Sequence, residues 1–169
     1  DFLKDKFHGK GVFYWSDGGP YDGDRYEGDF LDGKKHGKGT YFFSNGDKYT
    51  GDWDNDKETG KGVFYFANGD RYDGYFLEGY FFGKGSYFYR SGSKYTGDWY
   101  NNLMTGKGVF YFANGDRYEG DYLDDKKHGK GRYYYNNGDK YSGAWYNDKR
   151  TGKGVLNRAN GNRYEGEFF

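Results

Sequence analysis

A tyrosine followed two residues later by a glycine returns every 23 residues along this chain, and that interval constrains the fold more than any other feature. The tyrosines are Tyr26, Tyr49, Tyr72, Tyr95, Tyr118, Tyr141 and Tyr164; the glycines are Gly28, Gly51, Gly74, Gly97, Gly120, Gly143 and Gly166. Between successive steps stands Gly-Lys-Gly, at 37–39, 60–62, 83–85, 106–108, 129–131 and 152–154. A fixed period of about 20 to 50 residues marks an array of stacked supersecondary units.

Each unit reads as a β-hairpin. Val63 to Phe66 is a short aromatic and β-branched run, which suits a strand. Asn68-Gly69 predicts the turn, since both residue types tolerate positive φ. Asp70 to Phe76 returns. Strand alternation then places Tyr72, Gly74 and Phe76 on one face and Arg71, Asp73 and Tyr75 on the other. The glycines leave room for rings to lie across the backbone.

Stacking turns these positions into ladders: the seven tyrosines; Phe30, Trp53, Phe76, Trp99, Tyr122, Trp145 and Phe168; and Tyr41, Phe64, Tyr87, Phe110, Tyr133 and Leu156. One hairpin cannot bury its own face, so stability comes from neighbouring units. The expected fold class is all-β: an elongated, single-layer antiparallel sheet of tandem hairpins over residues 1–169, about seven repeats by the period. A second period overlies the first, because Trp53, Trp99 and Trp145 are 46 residues apart, as are Thr59, Thr105 and Thr151. The duplicated element is therefore a pair of units.

A mean hydropathy of -1.25 and 31% charged residues suggest disorder, but 25% of the residues are aromatic, which disordered chains are not. The 26 basic and 26 acidic residues balance, so nucleic acid is not an expected partner. Cysteine is absent, which excludes disulfides and thiolate metal sites. No apolar run is long enough for a membrane-spanning helix or a signal peptide. A start at Asp1 and a stop just after a Tyr-x-Gly step predict a segment of a longer chain.

Tyr-x-Gly-x-Trp/Phe, a polar loop, Gly-Lys-Gly-x-Tyr/Phe and Asn-Gly-Asp at this period resemble the MORN (membrane occupation and recognition nexus) repeat over nearly the whole chain. The resemblance implies a non-catalytic scaffold and protein-interaction module, cytoplasmic and associated with cytoskeletal, ciliary or membrane structures. It also implies partners among other proteins, self-association included, and no cofactor. Two alternatives accompany it: a peripheral membrane module that binds anionic phospholipid, and the targeting region of a larger enzyme such as a lipid kinase.

The motifs that suggest chemistry have structural readings. Gly-Lys-Gly recurs in every unit and lacks the Gly-x4-Gly-Lys-Ser/Thr arrangement between strand and helix that a phosphate loop needs. Asn-Gly-Asp has no accompanying carboxylate cluster for calcium. His8, His36 and His128 occupy one unit position and stand far apart, so no metal site is expected. Almost every polar residue has copies one or two units away, whereas catalysis needs a unique constellation. The lysines of Gly-Lys-Gly and a row from Arg25 to Arg163 are basic, but acidic residues stand beside the second row, whereas membrane attraction needs an unbalanced surface.

Departures from the repeat single out two places. Tyr80, Phe81 and Phe82 replace the Lys-Lys-His of sibling loops, and Leu103 and Met104 replace charged residues one unit later. Clustered exposed apolar side chains mark contact sites, so these five are the candidate partner-binding residues. In residues 16–28 the Tyr-x-Gly step occurs twice, at Tyr21 and Tyr26. Both a five-residue insertion and a junction lacking 18 residues of one unit fit the spacing; the 46-residue period favours the junction, with an irregular joint around Gly18 to Tyr21.

Overall fold

The structure is a computed structural model that describes residues 2–3 (main chain only), 6–16 and 18–169. Among the described residues every regular element is a strand. A short ladder joins β1 (Phe2–Leu3) to β2 (Lys6–Phe7). The remaining strands follow chain order in a fourteen-stranded antiparallel sheet, each hydrogen-bonded to the next. They fall into two compact units, residues 1–83 and 84–169.

In the first unit lie β3 (Gly9–Tyr14), β4 (Arg25–Leu31), β5 (Lys34–Phe42), β6 (Lys48–Asp54), β7 (Lys57–Tyr65) and β8 (Arg71–Leu77). β9 (Tyr80–Phe88) contains the division. In the second unit lie β10 (Lys94–Tyr100), β11 (Leu103–Tyr111), β12 (Arg117–Leu123), β13 (Lys126–Tyr134), β14 (Lys140–Tyr146), β15 (Lys149–Asn157) and β16 (Arg163–Phe168).

Successive strands are joined by two kinds of turn, and the tight ones are not where Asn-Gly points. Asp32-Gly33, Asn55-Asp56, Glu78-Gly79, Asn101-Asn102, Asp124-Asp125 and Asn147-Asp148 have positive φ at both residues. That is the two-residue hairpin whose twist matches its strands. At Asn68-Gly69 only the glycine is left-handed, at φ 95°. There the Gly69 N–H donates to the Phe66 carbonyl (2.9 Å) and the Phe66 N–H to the Asp70 carbonyl (3.0 Å), a β-turn ending in a left-handed glycine.

The third residue of Asn-Gly-Asp has a further role. Asp47 Oδ1 accepts the Ala67 N–H one repeat later at 2.7 Å, and Asp116 Oδ1 accepts the Asn136 N–H at 2.8 Å. Asp24 does the same with Ser44 (2.7 Å) and also accepts the Tyr41 hydroxyl at 2.5 Å. Each of these turns thereby clasps the next.

Residues 16–28 join two strands that are paired with each other. β3 pairs with β4 in the repeat register, from Gly9↔Phe30 to Tyr14↔Arg25. The loop between them closes like its siblings, with the Trp15 N–H donating to the Asp24 carbonyl (3.1 Å) and Gly23 to the Trp15 carbonyl (3.0 Å). Trp15 and Asp24 thus take the places of Phe66 and Asp70, with five additional residues in the loop. Asp17 lies outside the described residues. The sheet tolerates the longer loop because loop length adds entropy cost only slowly.

The core is one face of the strands. Tyr26, Tyr49, Tyr72, Tyr95, Tyr118 and Tyr141 are fully buried, and Trp53, Phe76, Trp99, Tyr122 and Trp145 nearly so. Rings meet edge to face, as at Tyr49–Trp53 (5.2 Å) and Tyr95–Trp99 (5.1 Å). Each hydroxyl is satisfied within its own strand: Tyr49 donates to the Asp52 carbonyl at 2.9 Å and Tyr95 to that of Asp98 at 3.1 Å. Each ring also covers two glycines. A Cβ on Gly97 would lie 2.6 Å from Gly108 Cα and still closer to the Tyr95 hydroxyl, so Tyr-x-Gly is one steric requirement.

Candidate functional site

The face away from the rings carries the exposed chemistry. Where the ring face needs glycine, the opposite face gains a floor without side chains. In the second unit Gly97, Gly108, Gly120, Gly131 and Gly143 line an open trough of about 1050 Å³. One wall is the row Ser86, Thr96, Val109, Glu119, Arg132 and Ser142; along the other run Lys84, Lys107, Lys130 and Lys153. The first unit holds a smaller counterpart of about 430 Å³, with Lys10, Val12, Glu27, Asp29 and Lys38 around Gly11 and Gly28.

A β-bulge shapes the lysine wall. The register shifts between Gly51 and Asp52, Gly97 and Asp98, and Gly120 and Asp121. At each shift the aspartate bridges the two neighbouring strands. Asp98 Oδ1 meets Lys84 Nζ at 2.5 Å, while its Oδ2 accepts the Lys107 N–H at 2.9 Å. Asp121 pairs with the Lys107 side chain and accepts the Lys130 N–H at 2.9 Å. Burial pushes the Asp98 and Asp121 carboxyls up, but these lysine contacts outweigh it and hold both below the usual aspartate value.

Five cations and one carboxylate line the trough. Lys84 and Lys107 are paired as described, and Glu119 is held by Arg117 at 3.6 Å. Among the described residues, Lys130, Arg132 and Lys153 enter no ion pair within 4.0 Å. The sequence reading passed over Arg132 and Ala144. The available signal was a column: Ala144 stands where Asp52, Asp98 and Asp121 stand, and Arg132 where Val63, Ser86 and Val109 stand.

The five apolar loop residues divide. In the first unit Tyr80 is 51% exposed and Phe82 37%; in the second Leu103 is 37% exposed. Phe81 and Met104 were expected at the surface but are buried, at 9% and 8%. The strand register explains the correction. Met104 is the cross-strand partner of Trp99, as Glu58 is of Trp53 and Lys127 of Tyr122, so this position faces the rings. Phe81 stacks on Tyr72, with centroids 3.7 Å apart and planes within 7°.

Where the sibling is Lys35, Lys127 or Arg150, the same position places a cation near the rings. Lys35 Nζ lies 4.3 Å from the Tyr41 ring centroid and 4.5 Å from that of Trp53, and burial lowers its pKa. Burial likewise raises that of Glu58. The histidines do not converge: His36 Nδ1 lies 3.3 Å from Asp54 in the first unit, and His128 packs 5.2 Å from the Tyr146 ring in the second.

The profile of the MORN repeat matches residues 1–19, 26–48, 49–71, 72–94, 95–117, 118–140 and 141–163. The chain belongs to the MORN repeat family. The stretch the profile skips, 20–25, falls in the lengthened loop. No curated protein sequence matches this MORN chain. Among solved structures it is similar to the Drosophila melanogaster SAS-4 (dCPAP) TCP domain, at 17% identity and a TM-score of 0.54, over 94% of this chain and 90% of that one. The Danio rerio CPAP TCP10 domain matches at 14% identity and a TM-score of 0.33, over 95% and 100%. At 17% identity the likeness to the SAS-4 domain is one of fold.

Proposed function

We propose that this MORN array is a non-catalytic protein-interaction module whose open trough receives an extended segment of a partner polypeptide. The observation that carries this is the trough in the second unit, about 1050 Å³ with a glycine floor and polar walls. A side-chain-free floor lets a second backbone approach closely. The similar SAS-4 TCP domain was solved in complex with a proline-rich motif of Ana2, which supports reading a sheet of this fold as a platform for a polypeptide. Exposed Tyr80 and Phe82 in the first unit, and Leu103 in the second, offer further contacts to partners or to another copy. A cytoplasmic setting on a cytoskeletal, ciliary or membrane-associated assembly rests on the MORN resemblance.

Selection of random 12-residue displayed peptides on the intact chain tests this reading. Peptides so obtained are expected to lose about tenfold or more in affinity to Val109→Trp, which fills the trough from its wall, while melting shows the fold retained. Failure to select any peptide, or selected peptides indifferent to Val109→Trp, would overturn it.

A further inference from the structure

The row of bridging carboxylates is broken at Ala144. In the first unit Asp52 joins the Lys38 side chain from one neighbouring strand to the Lys61 N–H (3.1 Å) from the other. In the second, Asp98 and Asp121 each do the same between successive Gly-Lys-Gly segments. Ala144 has Lys130 as its register partner on β13, and the usual bulge, between Gly143 and Ala144, on the β15 side where Lys153 lies. The Lys130 side chain and the Lys153 N–H therefore hold the places of the two donors that a carboxylate joins elsewhere. Neither finds an aspartate at position 144.

The space is open as well. A Cβ built on Gly106 would meet Asp98 Oδ2 at 2.9 Å, and one on Gly129 would meet Asp121 Oδ2 at 2.7 Å. At Gly152 the nearest atoms are Ala144 Cβ and Glu167 Oε2, both at 3.9 Å. Of the other carboxylates nearby, Glu119 is held by Arg117 and Asp121 by Lys107, while Glu167, the register partner of Lys153 on β16, makes no ion pair with it within 4.0 Å among the described residues. Tyr75 replaces the aspartate in the first unit, but its ring lies under Lys61 Nζ at 5.5 Å. Arg132 adds a second cation on the face of Lys130, two residues along β13 and so about 7 Å away. Its register partners are Ser142 on β14 and Glu119 on β12; the Glu119 carboxylate lies 3.6 Å from Arg117 and, among the described residues, Arg132 has no carboxylate within 4.0 Å.

We infer that the trough around Ala144 is a carboxylate-binding site, filled by an aspartate or glutamate side chain from an extended acidic segment of a partner protein. The inference rests on the reading of the trough as a peptide-binding surface and names the chemistry of the peptide. The incoming carboxylate accepts from Lys130 Nζ and the Lys153 N–H, as Asp98 and Asp121 do internally, and charge-assisted bonds of this kind are the strong ones. Acidic residues at alternate positions of an extended segment project on one side about 7 Å apart, matching Lys130 and Arg132. A membrane is the less suited occupant, because the basic rows beyond this recess are interrupted by ion pairs such as Lys38–Asp52, Lys84–Asp98 and Lys107–Asp121.

The test uses fluorescent 12-residue peptides of alternating Glu-Ser or alternating Gln-Ser, titrated into the intact chain. The Glu peptide is expected to bind about tenfold or more tightly than the Gln peptide, and its affinity to fall as salt rises. Ala144→Asp supplies the sibling carboxylate internally and is expected to remove the preference; Arg132→Val, also a sibling residue, reduces it by about threefold. Both are repeat-consistent, and thermal melting verifies folding. Equal binding of the two peptides, or an undiminished preference in Ala144→Asp, overturns the inference. The peptide-binding reading survives that result if displayed peptides still depend on Val109, and fails separately if they do not. Phosphatidylserine vesicles that bind in an Ala144-dependent manner while the Glu peptide does not would assign the site to lipid and overturn it too.

Discussion

The open faces of the two units follow one repeat but carry different charge. In the first, Lys38 meets Asp52, and Lys61 covers the Tyr75 ring. Lys10 and Lys38 line the recess there together with Glu27 and Asp29. In the second, pairing holds for Lys84 and Lys107 and then lapses at Lys130 and Lys153, with Arg132 added. The ring faces show no such divergence: Tyr26, Tyr49 and Tyr72 in the first unit and Tyr95, Tyr118 and Tyr141 in the second are fully buried, over glycines with similar clearance, and only the terminal Tyr164 of this ladder is exposed. The difference teaches where selection for folding ends. Rings and glycines specify the sheet, so the open face is free to specify a partner.

The largest expected effect tests that common frame. Gly97→Ala in the second unit and Gly51→Ala in the first each drive a Cβ to 2.6 Å from a facing glycine Cα. Each should cost about 3 kcal/mol or more in urea unfolding, since neither backbone nor covering ring can retreat cheaply. A tolerated substitution in only one unit would break the equivalence of the two ring faces.

A smaller effect concerns the hydroxyls. Tyr95→Phe and Tyr49→Phe remove donors to the Asp98 and Asp52 carbonyls, and each should lose about 1 kcal/mol by the same measurement. Losses that differ widely would show that one ring ladder carries more of the stability.

Acid sharpens the comparison at the turns. Burial raises the Asp24 and Asp116 carboxyls, but hydrogen bonds from Tyr41 and Ser44, and from Tyr133 and Asn136, outweigh it and hold both below the ordinary aspartate value of 3.8. A carboxyl depressed by folding contributes fully above its ordinary value and loses that contribution as pH falls through the folded one. The melting temperature should therefore fall below about pH 4. Asp116→Asn should flatten the fall, and an unchanged profile would remove the clasp from the account. Ser93, which accepts the Ala113 N–H at 3.0 Å in the corresponding place, already makes one clasp without a charge.

The smallest stability change is expected at the most informative position. Ala144→Asp should raise stability by only about 0–1 kcal/mol, because ion pairs on an exposed face contribute little. Its effect on an acidic peptide is the larger one.

Much of the fold was legible because the ring ladders repeat at one interval, and a Tyr-x-Gly step admits few arrangements. Turn type was less so: Asn68-Gly69 looks like the tight hairpin, yet pairs such as Asn101-Asn102 take that conformation, since the bulge and strand lengths decide where two residues suffice. Met104 was misplaced for the same reason, because the bulge changes which side of a loop-proximal residue meets the rings, and Phe81 is buried by its stacking on Tyr72. Ala144 and Arg132 were visible as departures in their columns. What hid their meaning was the double role of the aspartate they interrupt, as partner of one lysine side chain and of the next lysine's N–H, which only the register reveals.

The most direct measurement follows backbone amide resonances of the isotopically labelled chain as the alternating Glu-Ser peptide is added. The Lys153 amide and its neighbours around Ala144 should shift first and furthest, while those of Lys61 and Lys107, already bonded to Asp52 and Asp98, should stay near their free positions. Shifts spread evenly over both units, or centred on the first, would contradict the account.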